Sequence, residues 1–275
     1  MNRTITDNVN LVFDFVGENW RLWLKVMIYY LMPFSVLLGT TIATFYDDSD
    51  KSMSSMMTTI SIVLFIVGCI VVTTLQLLLV KWNESHDGTL DGCDATTLWH
   101  QSPKAFFKCM GIMVLWTPLV ALGIIAIVIP IVGLVVTFAV LPVFFMCPIM
   151  LLEQENSFSS ITGRAFSLGF KKWGKLILIA VIMVIVALLL NNTVTFPLGL
   201  FNAMELLLAD SSPDSTTWSF VSDIVHYILY VAECFMIFVE IGLFVLAMTF
   251  HYGSVAAEVE DIGLDSDIEN FAQLK

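Results

Sequence analysis

The chain has 275 residues, of which 58% are hydrophobic and 13% charged, and its mean hydropathy is +0.88. A soluble domain holds about 45–50% apolar and about 25% charged residues, so this composition excludes a water-soluble fold and predicts an integral membrane protein. The net charge of -12 and the acidic linkers and tail disfavour nucleic-acid binding.

The N-terminal segment predicts an amphipathic helix on the membrane surface over residues 5–18, with Val9, Val12, Val16 and Trp20 on its apolar face. Acidic residues precede the first apolar run, which is unlike a cleaved signal peptide. We therefore expect the first span to be retained. A short acidic connection that includes Asp47 and Lys51 follows this span.

The linker after the second span predicts a short helix over residues 94–101, which Asp94 could cap. Ser102 and Pro103 then predict a fresh helix start. A very short turn around residues 130–133 makes the third and fourth spans a tight hairpin.

A third surface helix is predicted over residues 157–170, because Phe158, Ile161, Ala165 and Leu168 recur at helical spacing. The fifth span ends near Pro197 and leads into a loop over residues 199–216. The sixth helix extends from about residue 217 to 255, and a polar tail covers residues 256–275.

Six long apolar runs without strand-like alternation thus predict an all-α membrane protein with six transmembrane helices. The spans cover about residues 26–45, 59–80, 109–129, 134–152, 176–195 and 228–250. Of the 12 Lys and Arg residues, all except Lys51 fall on one side of this arrangement. The positive-inside rule therefore places both termini in the cytoplasm, with six spans between them.

Basic and aromatic residues accompany each predicted surface helix, at the level of the lipid headgroups. These candidate headgroup residues are Arg21, Trp23, Lys25, Lys104, Lys108, Arg164, Lys171, Lys172, Trp173 and Lys175. A surface helix, a basic and aromatic hinge and a pair of spans make up a unit that the chain could contain three times, with the middle copy the weakest. The alternative is that any cytoplasmic entry into a membrane collects such residues.

Two stretches carry a resemblance to a known family. Glu153 and residues 157–173, with Ala165-Phe166-Ser167-Leu168 and Lys172-Trp173-Gly174, form the first, and Phe250-His251-Tyr252 through Glu258 to Gly263-Leu264 the second. They resemble uncharacterised six-span bacterial membrane proteins, which are similar to the membrane domain fused to glycerophosphodiester phosphodiesterases. The resemblance implies a location in the bacterial inner membrane. The resemblance implies no catalytic residues, because the phosphodiesterase chemistry belongs to a separate soluble domain.

The sixth helix carries a polar stripe formed by Asp223, His226, Glu233 and Glu240, the last three at intervals of seven residues. Carboxylates inside a bilayer are costly, so both glutamates should face the bundle and be protonated or hydrogen-bonded. The candidate partners are Asn191, Asn192 and Thr193 for Glu233, and Thr73, Thr74 and Thr117 for Glu240. The stripe could join helices, form a proton or cation pathway, or bind a ligand from outside.

No motif points to an enzyme. The five cysteines are scattered, His86 and His100 lack metal-ligand spacing, and no glycine-rich phosphate loop is present. We therefore expect no metal, no cofactor and no disulfide. The preferred interpretation is a non-enzymatic scaffold or accessory protein whose partners are membrane lipids and other membrane proteins. The alternative is a small proton- or cation-coupled transporter or channel that uses Glu233 and Glu240.

Overall fold

A computed structural model describes residues 4–47, 51–86, 89–126, 140–153, 157–209 and 216–273. Within these ranges the regular structure is entirely helical. The α-helices are α1 (Ile5–Glu18), α2 (Trp20–Asp47), α3 (Lys51–Ser85), α4 (Ala95–Ala126), α5 (Met146–Leu152), α6 (Phe158–Lys171), α7 (Trp173–Ala209) and α8 (Thr216–Gln273). A 3₁₀ helix, Leu141–Phe145, leads directly into α5.

Four segments are long and apolar enough to cross a membrane: Trp20–Thr44, Ser55–Ser85, Trp173–Met204 and Val221–Val259. They coincide with the first, second, fifth and sixth predicted spans, so the predicted helical class is confirmed, and four of the six predicted spans are helices that are long and apolar enough to cross a membrane. The backbone of the third predicted span is described only as far as Ala126, and the fourth only from residue 140. The predicted turn at residues 130–133 lies outside the described residues.

The structure differs from the sequence-based prediction at Pro103, which lies inside α4 rather than at a new helix start. Proline has no backbone N–H and so cannot bond to the carbonyl four residues earlier, here that of Trp99. The Ser102 hydroxyl donates to this carbonyl instead, over 3.0 Å. The serine therefore supplies a donor in place of the missing N–H, and α4 continues through the predicted break.

Pro197 likewise lies inside a helix, and α7 continues to Ala209 where a loop over residues 199–216 was predicted. The residues after Pro197 include Leu, Ala, Met and Glu, which favour helix. In an apolar environment a helix also satisfies the backbone groups internally. At the C-terminal end, α8 continues past the predicted limit at residue 255 and through most of the predicted tail.

The predicted surface helices at the two ends of the chain have the same design. α1 and α6 each contain 14 residues, and a single residue, Asn19 or Lys172, separates each of them from the long helix that follows. The backbone dihedrals of these residues are close, with φ -113° and ψ 18° at Asn19 and φ -128° and ψ 30° at Lys172. The middle copy of the pattern lacks this joint, because residues 94–101 belong almost entirely to the uninterrupted α4.

The chain divides into two compact units. Unit 1 comprises residues 1–22, 73–183 and 243–275, and unit 2 comprises residues 23–72 and 184–242. The core of unit 1 contains Val12, Leu75, Phe145 and Ile161 among its buried side chains, and that of unit 2 contains Met27, Leu31, Ile70 and Phe238.

In unit 2, α8 packs closely against α2 and α3. A Cβ atom on Gly39 would lie 2.6 Å from Val231 Cγ2, and one on Gly68 would overlap the ring of Phe238. Phe238 also stacks on Phe65, with ring centroids 6.0 Å apart. Glycine thus allows the helices to approach each other closely, as small residues commonly do between membrane helices.

The apolar faces of α1 and α6 are covered by protein in unit 1. On α6 the predicted residues Ile161, Ala165 and Leu168 are buried, while Phe158 is exposed. On α1 the buried residues are Asn8, Val12 and Phe15. Of the predicted apolar face, Val12 is fully buried, Val9 and Val16 are half-buried, and Trp20 is 53% exposed. The difference arises because a polar residue, Asn8, takes part in the tertiary contact of α1.

Candidate functional site

The four residues of the predicted stripe all lie on α8 in unit 2, where Asp223 is exposed and His226, Glu233 and Glu240 are half-buried. The Nε2 atom of His226 lies 2.6 Å from Asn202 Oδ1 on α7, and its Nδ1 atom lies 3.1 Å from the Ser222 carbonyl oxygen. The Phe201 ring meets the imidazole edge-on at 5.1 Å. His226 therefore joins α7 to α8 through a residue, Asn202, that was not predicted as a partner.

The predicted partners of the glutamates bond elsewhere. Asn192 donates to the Leu188 carbonyl and Thr193 to the Leu190 carbonyl, both over 2.7 Å and both within α7. Such bonds satisfy short polar side chains on a helix in apolar surroundings. Among the described residues, Asn191 Oδ1 and Glu240 Oε1 are buried without a hydrogen-bond partner.

The partners predicted for Glu240 are placed differently again. Thr73 and Thr74 are buried in unit 1, and Thr74 contacts the Cys109 thiol. The side chain of Thr117 lies outside the described residues.

The candidate headgroup residues are ion-paired, exposed or, in one case, buried. Arg164, Lys172 and Lys175 form ion pairs with Glu153 or Glu258. Arg21 lies over the exposed Trp20 ring at 5.4 Å. Trp23 is buried, so it cannot serve as the predicted interfacial anchor. The remaining candidates are exposed: Lys25, Lys104, Lys108, Lys171 and Trp173.

Glu153 is the centre of a polar cluster in unit 1 that sequence reasoning did not identify as a site. Its Oε1 atom accepts hydrogen bonds from Arg164 Nη2 at 2.7 Å and Nε at 3.1 Å, and from the Tyr252 hydroxyl. A carboxylate that accepts two bonds from one guanidinium is held in a defined orientation. This contact fixes the end of α5 to both α6 and α8.

A second carboxylate, Glu258 on α8, pairs with the joint between α6 and α7. Lys172 Nζ lies 2.6 Å from Glu258 Oε1, and Lys175 Nζ lies 3.8 Å from Oε2. The two stretches that carry the family resemblance are therefore in contact through Glu153–Tyr252 and Lys172–Glu258. Each stretch was visible in the sequence, but their pairing depends on the tertiary fold.

The third part of the cluster is a buried amide–imidazole pair. Asn8 Nδ2 on α1 lies 3.4 Å from His251 Nδ1 on α8, and each residue is only 1% exposed. The ring of His251 lies 5.8 Å from that of Phe145. Asn8 Oδ1 and His251 Nε2 are buried and have no hydrogen-bond partner among the described residues. Each such atom costs about 1–3 kcal/mol. A sequence signal existed, since Asn8 shares the helical spacing of Val12 and Phe15.

The start of α4 carries the helix cap that the sequence predicts. Asp94 Oδ1 accepts the backbone N–H of Thr97 and the hydroxyl of Thr96, both at 2.8 Å. These bonds, the one from the Thr97 N–H first, hold the pKa of Asp94 below its ordinary value. Burial raises the pKa of the neighbouring Cys93 thiol to about 11, so it is not a reactive thiolate near neutral pH.

The described residues contain no group of three or more His, Cys, Asp or Glu side chains that could hold a metal ion. The paired charges of unit 1 instead connect α5, α6, α7 and α8. Comparisons of the chain with protein-family models, curated proteins and solved structures found no match.

Proposed function

We propose that the chain is a non-enzymatic scaffold or accessory protein of the bacterial inner membrane, which binds lipids and assists other membrane proteins. It has six spans and both termini in the cytoplasm. Four helices of sufficient length and apolar composition support a membrane location. The concentration of Lys and Arg on one side of the six predicted spans supports the orientation.

Lipid binding is supported by the division of the basic residues into two sets, one that forms ion pairs within the protein and one that is exposed. Arg21, Lys25, Lys104 and Lys171 are exposed. Exposed aromatic side chains accompany them, namely Trp20, Phe107, Phe170 and Trp173. Basic and aromatic side chains together bind anionic headgroups at a membrane interface.

The test uses two adjacent lysines. Lys171 is exposed, while Lys172 is paired with Glu258 at 2.6 Å. We expect Lys171→Gln, combined with glutamine at Arg21, Lys25 and Lys104, to reduce the retention of phosphatidylglycerol without lowering thermal stability in detergent. Lys172→Gln is the matched control, and it should lower stability and leave lipid retention close to wild type.

Native mass spectrometry of protein extracted from mixed phosphatidylglycerol and phosphatidylcholine vesicles measures the retained lipid. Equal retention of the two lipids by wild type and the fourfold variant would exclude binding through these cations.

The second candidate function is proton- or cation-coupled transport, which the buried, unpartnered Glu240 Oε1 favours. A carboxylate inside a span is a functional-site candidate by default. Transport through it predicts that Glu240→Gln and Glu233→Gln abolish ion flux into proteoliposomes, while Glu84→Gln, at an exposed position, does not. Absence of flux in the wild type under both proton and sodium gradients would exclude this candidate.

A further inference from the structure

We propose that α1 is a reversible strap that exchanges its contact with α8 for the lipid interface. In the structure α1 is closed over α8. Asn8 meets His251 there, and the Phe15 and Phe250 rings pack edge to face at 5.6 Å. Opening would rotate α1 about Asn19 and expose His251. The strap depends on the proposed membrane setting, because the interface receives α1 when it opens.

α1 carries its own caps at both ends, so it can remain helical without α8. At the N-terminus, Thr4 Oγ1 accepts the N–H of Asp7 at 3.2 Å, and the Asp7 carboxylate accepts the N–H of Thr4 at 2.7 Å. At the C-terminus, Asn19 Nδ2 donates to the Phe15 carbonyl over 3.0 Å. These reciprocal bonds satisfy terminal groups that a helix otherwise leaves open.

The closed contact has a polar centre with unsatisfied atoms. The Asn8–His251 separation of 3.4 Å is long, and Asn8 Oδ1 and His251 Nε2 lack a hydrogen-bond partner among the residues described. Both atoms would reach water or headgroups when α1 opens. Because buried polar groups without partners destabilise the state that buries them, this pair favours opening.

The equivalent helix α6 differs from α1 because ion pairs and close packing hold it in place. An ion pair joins Arg164 of α6 to Glu153, and another joins Lys172 at its joint to Glu258. Gly169 of α6 lies so close to Pro142 that a Cβ atom there would be 2.6 Å from the proline Cβ. On α1, Asp14 and Glu18 are exposed, and the structure records no ion pair between them and the residues it describes.

The lipid interface suits α1 as an alternative partner. Val9 and Val16 are half-buried beside Val12, whereas Asn10, Asp14 and Glu18 are exposed. An amphipathic helix of this kind lies in a membrane surface with its apolar face toward the acyl chains. Val12 belongs both to this apolar face and to the face that is buried in the closed state, so lipid can replace protein over part of the α1 surface.

Hydrogen–deuterium exchange of the full chain in lipid nanodiscs tests the strap, with α6 as an internal control of equal length. We expect the amides of α1 to exchange at least tenfold faster than those of α6, because a 14-residue helix that leaves its tertiary contact opens its backbone hydrogen bonds more often than one that stays packed. Equal exchange of the two helices in the wild type would overturn the proposal, whatever the outcome of the lipid-retention experiment.

Variants then identify the cause of opening. Combining Asn8→Leu with His251→Leu removes both unsatisfied groups and should slow exchange of α1 at least tenfold, with α6 unchanged. Phe15→Ala removes a ring contact and should accelerate α1 only. Unchanged exchange of α1 in a folded double variant would refute the role of the polar pair. If that variant misfolds, α6 will also exchange faster, and the wild-type comparison still decides the proposal.

Discussion

Glu153 stands at the end of α5, where one carboxylate oxygen receives donors from two other helices of unit 1. We expect Glu153→Ala to lower the free energy of unfolding by about 1–3 kcal/mol, because the Tyr252 hydroxyl is left buried without an acceptor. The Arg164 ion pair orients α6 against Glu153 but contributes less to this loss, since the two side chains are 37% and 31% exposed and water screens them.

Adding Tyr252→Phe to Glu153→Ala tests this explanation. The double variant should recover most of the lost stability, because no buried polar oxygen remains. Chemical denaturation in detergent gives the free energies of all variants. A double variant less stable than Glu153→Ala alone would show that the hydroxyl is not the source of the loss.

Asp94 supplies a prediction for pH. Its pKa is lowered in the folded state because Thr97 and Thr96 donate to the carboxylate. The cap therefore contributes stability above the ordinary pKa of aspartate, and this contribution is lost as the pH falls through the lowered value. We expect hydrogen exchange at Thr97 to accelerate on acidification in the wild type, after correction for intrinsic rates.

Two substitutions separate charge from capping at this position. Asp94→Asn can still cap the helix but does not titrate, so the acceleration should disappear. Asp94→Ala should show fast exchange at every pH. A wild-type acceleration that persists in Asp94→Asn would point to another titrating group.

Local chemistry explains which residues were predictable. The Asp94 cap follows from residues within three positions of it, whereas the burial of Asn8 and Trp23 depends on distant elements. From the sequence alone, an asparagine in a helix with acidic residues is expected to be exposed to water. Asn8 is buried because the tertiary fold places it beside His251. The same holds for Glu153 and Tyr252, which are 99 residues apart.

At the scale of the helix, rules for soluble proteins placed breaks at Pro103 and Pro197 that the structure does not contain. Those rules assume that the backbone of a turn forms hydrogen bonds with water, so that ending the helix costs less free energy than keeping a proline inside it. Around Pro197, in apolar surroundings, a turn would expose several unpaired groups, so continuing the helix costs less free energy. At Pro103 the Ser102 hydroxyl supplies a donor in place of the missing N–H. Helix type and approximate bounds were therefore predictable, while the continuity through proline required the structure.

The packing of α6 provides a prediction with a control in the same helix. Gly169→Ala should destabilise the chain by about 1–3 kcal/mol, because the new methyl group meets Pro142. Gly163→Ala has nothing within 4 Å of its new Cβ, and it should stabilise by about 0.5–1 kcal/mol. Thermal unfolding in detergent distinguishes them, and equal shifts would contradict the close approach of α6 to the 3₁₀ helix.

For the whole molecule, the side of the membrane on which residues 130–133 lie distinguishes an arrangement with six spans from one with four. A short epitope inserted at residues 130–133 should be accessible from outside intact spheroplasts, because these residues connect the third and fourth predicted spans. An epitope at residues 87–88 should be accessible only after permeabilisation, and it serves as the control. Protection of both epitopes would favour an arrangement in which only the four helices of sufficient length and apolar composition cross the membrane.

The sequence predicted the helical class and the positions of four helices that are long and apolar enough to cross a membrane, because long apolar runs are the main sequence signal of such helices. It could not predict how α8 is used, since Asn202, Glu153 and Asn8 come from separate parts of the chain. A stripe on one helix indicates a polar face but does not identify what meets it. We therefore chose the predicted partners of Glu233 by their depth in the membrane span: Asn191, Asn192 and Thr193. The residue that His226 contacts, Asn202, lies further along α7.

The two glycine contacts of unit 2 restrict its mechanics. Val231 and Phe238 of α8 occupy the spaces that Gly39 and Gly68 leave on α2 and α3. A slide of α8 by one residue, about 1.5 Å along its axis, or a rotation about that axis would drive both side chains into bulkier neighbours. We therefore expect these segments of α2, α3 and α8 to move together in unit 2.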